Sequence, residues 1–183
     1  GNLLFAQDGG IFSKEYIADI IDKVNTYQLS NPWSQDDYNW IRGTYYTGVM
    51  ACYQATGIEK YLLQCNAWGE KYSWGIPPIG YEEGSGANVL TCSQTWLESY
   101  MAKKDKFKIL PLIEHLERKD LKTPSGMPAR YYYEGGRKYV DALYVCAPAL
   151  AMLGKVTGDP KYLAWMDAFF WDIYGTLYDD NDN

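Results

Sequence analysis

Few side chains in this sequence could do chemistry, and the clearest candidate is a single carboxylate. Asp141 opens "DALYVCAPALAML" (141–153), a helix-length run that is otherwise free of charge. An acid placed there has two physical uses. In the first turn of a helix it is favoured by the macrodipole, by roughly 0.3–1 kcal/mol. Held among aromatic and apolar neighbours, it can instead act as a general acid/base. Loss of solvent favours the proton-bearing carboxyl, and positioned proton transfer is worth about 10²–10⁴ in rate. The residues alone leave both uses open.

Other reactive groups are scarce. There is no G-x-S-x-G elbow, no phosphate-binding loop and no dinucleotide fingerprint. The single histidine, His115, stands between Glu114 and Glu117 and is expected on a solvated helix face. Cys52, Cys65, Cys92 and Cys146 show no metal-ligand spacing. They sit in apolar helical patterns, so buried free thiols are expected and no metal site. Polar and aromatic groups gather where long loops run into helices. "ANVLTCSQTW" (87–96) supplies Asn88, expected as a helix cap or a ligand contact, and Gln94. "YNWIRGTYY" (38–46) supplies Trp40, Arg42, Tyr45 and Tyr46. Arg42, Arg130, Arg137 and Lys138 are cations near the same expected face, where they would suit a carboxylate-bearing ligand.

The elements that must hold these residues are helical. Apolar spacing near 3.6 predicts helices at about 13–30, 38–56, 59–72, 88–103, 106–119, 139–157 and 160–177. Pro148 interrupts the sixth and leaves the Tyr144 carbonyl without its helical donor, which predicts a kink. Two turns nearly repeat each other, "ATGIEKYL" (55–62) and "VTGDPKYL" (156–163), each ending a helix at a glycine. A weaker third copy, "YMAKKDKFKIL" (100–110), lies between them, giving a repeat of about 50 residues. That is long helix, tight turn, second helix, long loop.

This repeat suits the hairpins of an (α/α) toroid, in which inner helices ring an axis and outer helices cover them. Tight turns then lie on one face and long loops, here 73–87 and 121–138, on the other. Long structured loops of this kind are usually functional. Six such units need roughly 300 residues at this repeat length. We therefore expect an all-α single domain over 1–183, about half of an (α/α)6 barrel. It would be completed by a C-terminal half or by self-association.

Composition narrows the partners. A net charge of -6 argues against nucleic acid, whose phosphates need clustered Lys and Arg. No apolar run approaches the roughly 18 residues of a membrane span. The 18 Tyr and 7 Trp, against 5 Phe, suit either sugar rings or aromatic packing.

The segments "WIRGTYYTGVMACYQATGIEKYL", "GANVLTCSQTWLESY" and "RYYYEGGRKYVDALYVCAPALAMLGKVTGDPKYLAWMDAFFWD" resemble glycoside hydrolase family 105 and its relative family 88. These are unsaturated rhamnogalacturonyl and glucuronyl hydrolases. The resemblance implies an (α/α)6 barrel and a cofactor-free reaction on oligosaccharides left by polysaccharide lyases. It implies hydration of the 4,5 double bond of a terminal unsaturated uronic acid. Asp141 would protonate C4 and then help water attack C5. Trp40, Arg42, Tyr46, Asn88, Gln94, Arg137 and Tyr139 are the expected substrate-binding residues. The family's role in polysaccharide breakdown and the short apolar start at Leu3–Gln7 give an expectation of a periplasmic or secreted protein.

Two departures bear on this reading. Asn88 fills a position where the family usually carries a second Asp, and an amide cannot share protons with Asp141. The family's later His, Trp and Arg contributors belong to a half that this chain lacks. Two alternatives therefore stand beside the first reading. One is a two-carboxylate glycosidase pairing Asp141 with Glu82 or Glu83, at the separations such chemistry needs. The other is a non-catalytic saccharide-binding arc.

Overall fold

In the computed structural model the described residues are 10–33, 37–77, 88–118, 139–179 and 181. Among them the fold is all helical. The helices are α1 (Lys14–Ser30), α2 (Trp40–Thr56), α3 (Glu59–Lys71), α4 (Thr91–Lys103), α5 (Leu110–Glu117), α6 (Asp141–Thr157) and α7 (Pro160–Leu177). Short 3-10 turns at Asn88–Leu90 and Lys106–Lys108 lead into α4 and α5. The long loops that the sequence marks as functional lie mostly outside the described residues.

The caps follow from local chemistry. Ser13 accepts from the Tyr16 N–H at 3.1 Å and Asn39 accepts from the Arg42 N–H at 3.0 Å, starting α1 and α2. Gly57 (φ 69°) and Gly158 (φ 74°) end α2 and α6 in the left-handed conformation that lacks a Cβ penalty. In the third turn that conformation falls on Lys104 (φ 56°), at about 1–2 kcal/mol of strain. Asp105 then caps the 3-10 turn, accepting from the Phe107 N–H at 3.1 Å. Asn88, expected as a cap, opens the 3-10 turn instead. Leu90 precedes α4, with no side-chain cap bond.

Helices α2, α4 and α6 form the inner layer, and their hairpin partners α3, α5 and α7 pack outside. Helix α4 is central and enclosed: Thr91–Leu97 and Ser99 are all buried. Gly43 lets α2 approach it, since a Cβ there would lie 2.9 Å from the Thr91 methyl. Two cores flank α4. One is aromatic: Tyr46 stacks on Trp68 at 4.1 Å, and Trp96 meets Trp68 at 4.5 Å and Trp74 at 5.2 Å. The indole N–H groups of Trp68 and Trp96 donate to the Asp37 and Gly75 carbonyls at 2.8 and 2.9 Å. The other core is aliphatic, built around Leu97, Leu112, Leu116, Val145, Leu153 and Phe169.

The arc ends in two exposed helices. Helix α1 buries no residue. It is tied to α2 and α3 by polar bonds, in which Tyr45 donates to Asn25 at 2.6 Å and Asn25 donates to Gln64 at 2.8 Å. At the other end, Phe170, Trp171 and Tyr174 of α7 are exposed. Cys65, Cys92 and Cys146 are buried free thiols, as expected, whereas Cys52 is only half-buried. His115 is half-buried and not on a solvated face. Among the described residues no helix is long and apolar enough to cross a membrane.

Candidate active site

The inner helices meet near their N-terminal ends. Thr47 of α2 and Tyr144 of α6 bring their hydroxyls within 3.4 Å. The Gln94 amide of α4 donates to the Tyr144 carbonyl at 2.8 Å. Three sequence-distant helices are thereby drawn to one place, and Asp141 stands one helical turn before Tyr144.

Asp141 is the first residue of α6, and Val140 holds the cap position with no side-chain cap bond. The carboxylate therefore does not cap the helix, although it lies where the helix dipole favours negative charge. Asp141 is exposed and not enclosed among apolar neighbours. Its apolar neighbours Ala142, Val145 and Cys146 turn into the core on the other faces of α6. Burial beneath it pushes the Cys146 thiol far up, with the Asp141 charge adding to the effect, so that sulfur is no nucleophile. Among the described residues no side chain is hydrogen-bonded or ion-paired to the Asp141 carboxylate, which leaves it available to a ligand.

The other expected site residues divide by which face of their helix they occupy. Trp40, Tyr139 and Tyr144 are exposed and Asn88 is half-buried. The 3-10 turn that Asn88 opens packs against α6. Arg42, Tyr46 and Gln94 are interior. Arg42 is 9 % exposed, its Nε has no hydrogen-bond partner, and its guanidinium lies 5.1 Å from the Tyr45 ring. Burial pushes the Tyr46 phenol up to about 12, in the aromatic core against Trp68. Gln94 is 5 % exposed and commits an amide hydrogen to backbone. Tyr46 packs toward α3 and Gln94 toward α6. Arg137, Arg130, Lys138, Glu82 and Glu83 lie outside the described residues, and so does the two-carboxylate pairing.

The Arg42 charge is answered nearby. Burial alone would raise the Asp37 carboxyl, but hydrogen bonds from Lys71 and Tyr72, with the Lys71 and Arg42 charges, hold it below the usual range. The Lys71 bond measures 2.7 Å. This cluster ties the segment before α2 to the end of α3 and so fixes where Trp40 begins the inner helix.

Two groups of the site were not singled out from sequence, Thr47 and Tyr144. Both follow a signal that was present. Tyr144 is one turn after Asp141, and Thr47 shares a helix stripe with Trp40 and Thr44. Among the described residues no group of three or more His, Cys, Asp or Glu could hold a metal ion.

The sequence profile of Glycosyl Hydrolase Family 88 matches residues 12–183. The chain belongs to this family. A curated relative, an unsaturated 3S-rhamnoglycuronyl hydrolase of Alteromonas sp. (strain LOR), is 29 % identical over 160 residues. That alignment covers 77 % of this chain and 37 % of the relative. Among solved structures, one described as a polysaccharide lyase superimposes with a TM-score of 0.70 at 22 % identity, covering 91 % of this chain and 48 % of its own. A possible GH105 member from Salmonella enterica (serovar Paratyphi A) also gives 0.70, at 16 % identity, covering 98 % of this chain and 53 % of its own. At such identities the superpositions speak for the fold. The chain is about half of a GH88/GH105-type helical toroid, and it spans well under two thirds of the relatives' lengths.

Proposed function

We propose that this chain contributes the acid/base side of a site that hydrates the 4,5 double bond of a terminal unsaturated uronic acid. The substrate would be an oligosaccharide left by a polysaccharide lyase. The observation that carries this is the placement of Asp141. It is an exposed carboxylate, unpaired among the described residues, on the first turn of an inner helix and one turn before Tyr144, where α2, α4 and α6 are joined. Family membership supports a glycosidase as the reaction class. The relative's name adds an unsaturated 3S-rhamnoglycuronyl oligosaccharide as the class of substrate to try first.

In this reading the protonated Asp141 delivers its proton to C4 of the unsaturated ring, and positive charge develops at C5. The carboxylate that remains takes a proton from water as the water oxygen bonds to C5. The hemiketal so formed opens, the glycosidic bond breaks, and Asp141 is left protonated as it began. One positioned carboxyl suffices, and no nucleophilic side chain is needed. Trp40 and Tyr139 offer flat apolar faces to the sugar, and Asn88 and Tyr144 offer hydrogen bonds. A periplasmic or secreted location would fit such a substrate.

Turnover of an unsaturated disaccharide in deuterium oxide tests the chemistry. Hydration places one deuterium on C4 of the product, which mass spectrometry reads. Cleavage without deuterium at C4 would mean displacement at the anomeric carbon and would end this proposal. Binding without any turnover would favour the saccharide-binding arc.

A further inference from the structure

We propose that Gln94 and Pro148 work as a pair that fixes the Asp141 turn, with Gln94 supplying from α4 the hydrogen bond that Pro148 withholds within α6. This rests on the reading of Asp141 as the acid/base. Pro148 has no N–H, so the Tyr144 carbonyl loses its helical partner four residues on. Gln94 replaces that partner, its amide donating at 2.8 Å. The replacement differs from the original in one respect: it comes from a different helix. A bond from the Pro148 position would have tied α6 only to itself. The bond from Gln94 ties the first turns of α6 to α4, the most enclosed helix of the fold.

The start of α6 is seated by the buried Ala142, Val145 and Cys146. No side chain caps it, and its first backbone bonds are those of a single turn, Ala142 to Tyr139 at 3.2 Å and Leu143 to Val140 at 3.1 Å. Tyr144 is held twice, its carbonyl by Gln94 and its hydroxyl against Thr47 at 3.4 Å. Asp141, one turn earlier, inherits its position from that double anchor. Misplacement of a reacting group by about 1 Å can cost roughly 100-fold in rate. Gln94 is accordingly a positioning residue that touches no substrate.

Three variants test this: Gln94→Met, Pro148→Ala, and both together. Gln94→Met removes the donor at nearly constant volume, while Pro148→Ala restores the N–H that α6 lacks. Amide exchange over the first two turns of α6 should quicken about tenfold in Gln94→Met, the loss of one hydrogen bond. It should return to the parent's rate in the double variant. On an unsaturated disaccharide, kcat should fall at least about tenfold in Gln94→Met with KM nearly unchanged, and should recover in the double variant. Unchanged exchange, or a loss that Pro148→Ala does not repair, would overturn the pairing. A rise in KM at constant kcat would make Gln94 a substrate contact and overturn its positioning role. A parent chain that binds the disaccharide but does not turn it over would refute the proposed reaction, while exchange would still decide the pairing.

Discussion

Replacing Gly69 by alanine should destabilise this protein, although the same change in most helices does the opposite. In an exposed helix Gly→Ala gains about 0.5–1 kcal/mol from backbone entropy. Gly69 lies beneath the Trp74 ring, and a Cβ there would sit 2.3, 2.4 and 2.6 Å from three of its carbons. Ordinary contact begins near 3.4 Å, so the ring would have to retreat by about 1 Å. It has nowhere to go. Trp74 is buried, Trp96 packs edge-on at 5.2 Å and the Lys108 ammonium lies 4.8 Å from its centroid. The Trp74 N–H also donates to the Gly69 carbonyl at 2.8 Å, which locks the two together. Overpacking of this kind costs about 1–3 kcal/mol and exceeds the entropic gain. A net loss of about 1–2 kcal/mol would lower Tm by roughly 2–4 °C per kcal/mol in a chain of this size. Thermal unfolding followed by circular dichroism reads it, with Trp74→Leu and the double variant as controls. Gly69→Ala should become neutral or stabilising once the indole is gone. A parent chain made more stable by Gly69→Ala would refute the packing argument.

The other predictions concern the turns, the buried phenol and the missing acid. Lys104→Gly should stabilise by about 1 kcal/mol, because the left-handed conformation at φ 56° penalises any Cβ; urea denaturation would show it as a raised midpoint. Burial holds the Tyr46 phenol up to about 12, above the unfolded value near 10. Between those two values the unfolded chain binds fewer protons, so stability should fall as pH rises through that window. Tyr46→Phe should flatten that fall while leaving the profile between pH 6 and 9 unchanged. Asn88→Asp supplies the second carboxylate that the family usually carries, and the kcat on an unsaturated disaccharide should rise several-fold. An unchanged kcat would remove that position from the chemistry.

The hairpin plan was readable because its signals are local. Glycine after a helix, Asp-Pro at the next start and apolar spacing near 3.6 need no tertiary context. The Gly57 and Gly158 turns lie where that spacing puts them. The third turn departs in residue type, since Lys104 takes the left-handed conformation that glycine takes in the other two. Asp141 was legible for a related reason: a lone charge before an apolar helix marks a junction. What sequence could not give was the direction of each inner-helix side chain. Every inner helix has two polar-tolerant faces, one toward the axis and one toward its neighbours, and periodicity does not name them. Arg42, Tyr46 and Gln94 are buried, which their spacing does not disclose. The approach of the Thr47 and Tyr144 hydroxyls likewise depends on tertiary packing. The enclosure of α4 was hidden as well. Its Thr, Ser and Gln residues read as half-polar, yet all of them are buried, Thr95 and Ser99 without a side-chain hydrogen bond among the described residues. Thr91 and Ser93 donate to the Asn88 and Leu90 carbonyls.

The most direct measurement is the ultraviolet absorbance of the ring double bond in a lyase-generated unsaturated disaccharide, followed with the parent chain and with Asp141→Asn. The account predicts steady loss of absorbance with the parent and a rate reduced by about 10²–10⁴ in the variant. An Asp141→Asn chain that consumes the double bond as fast as the parent would contradict it.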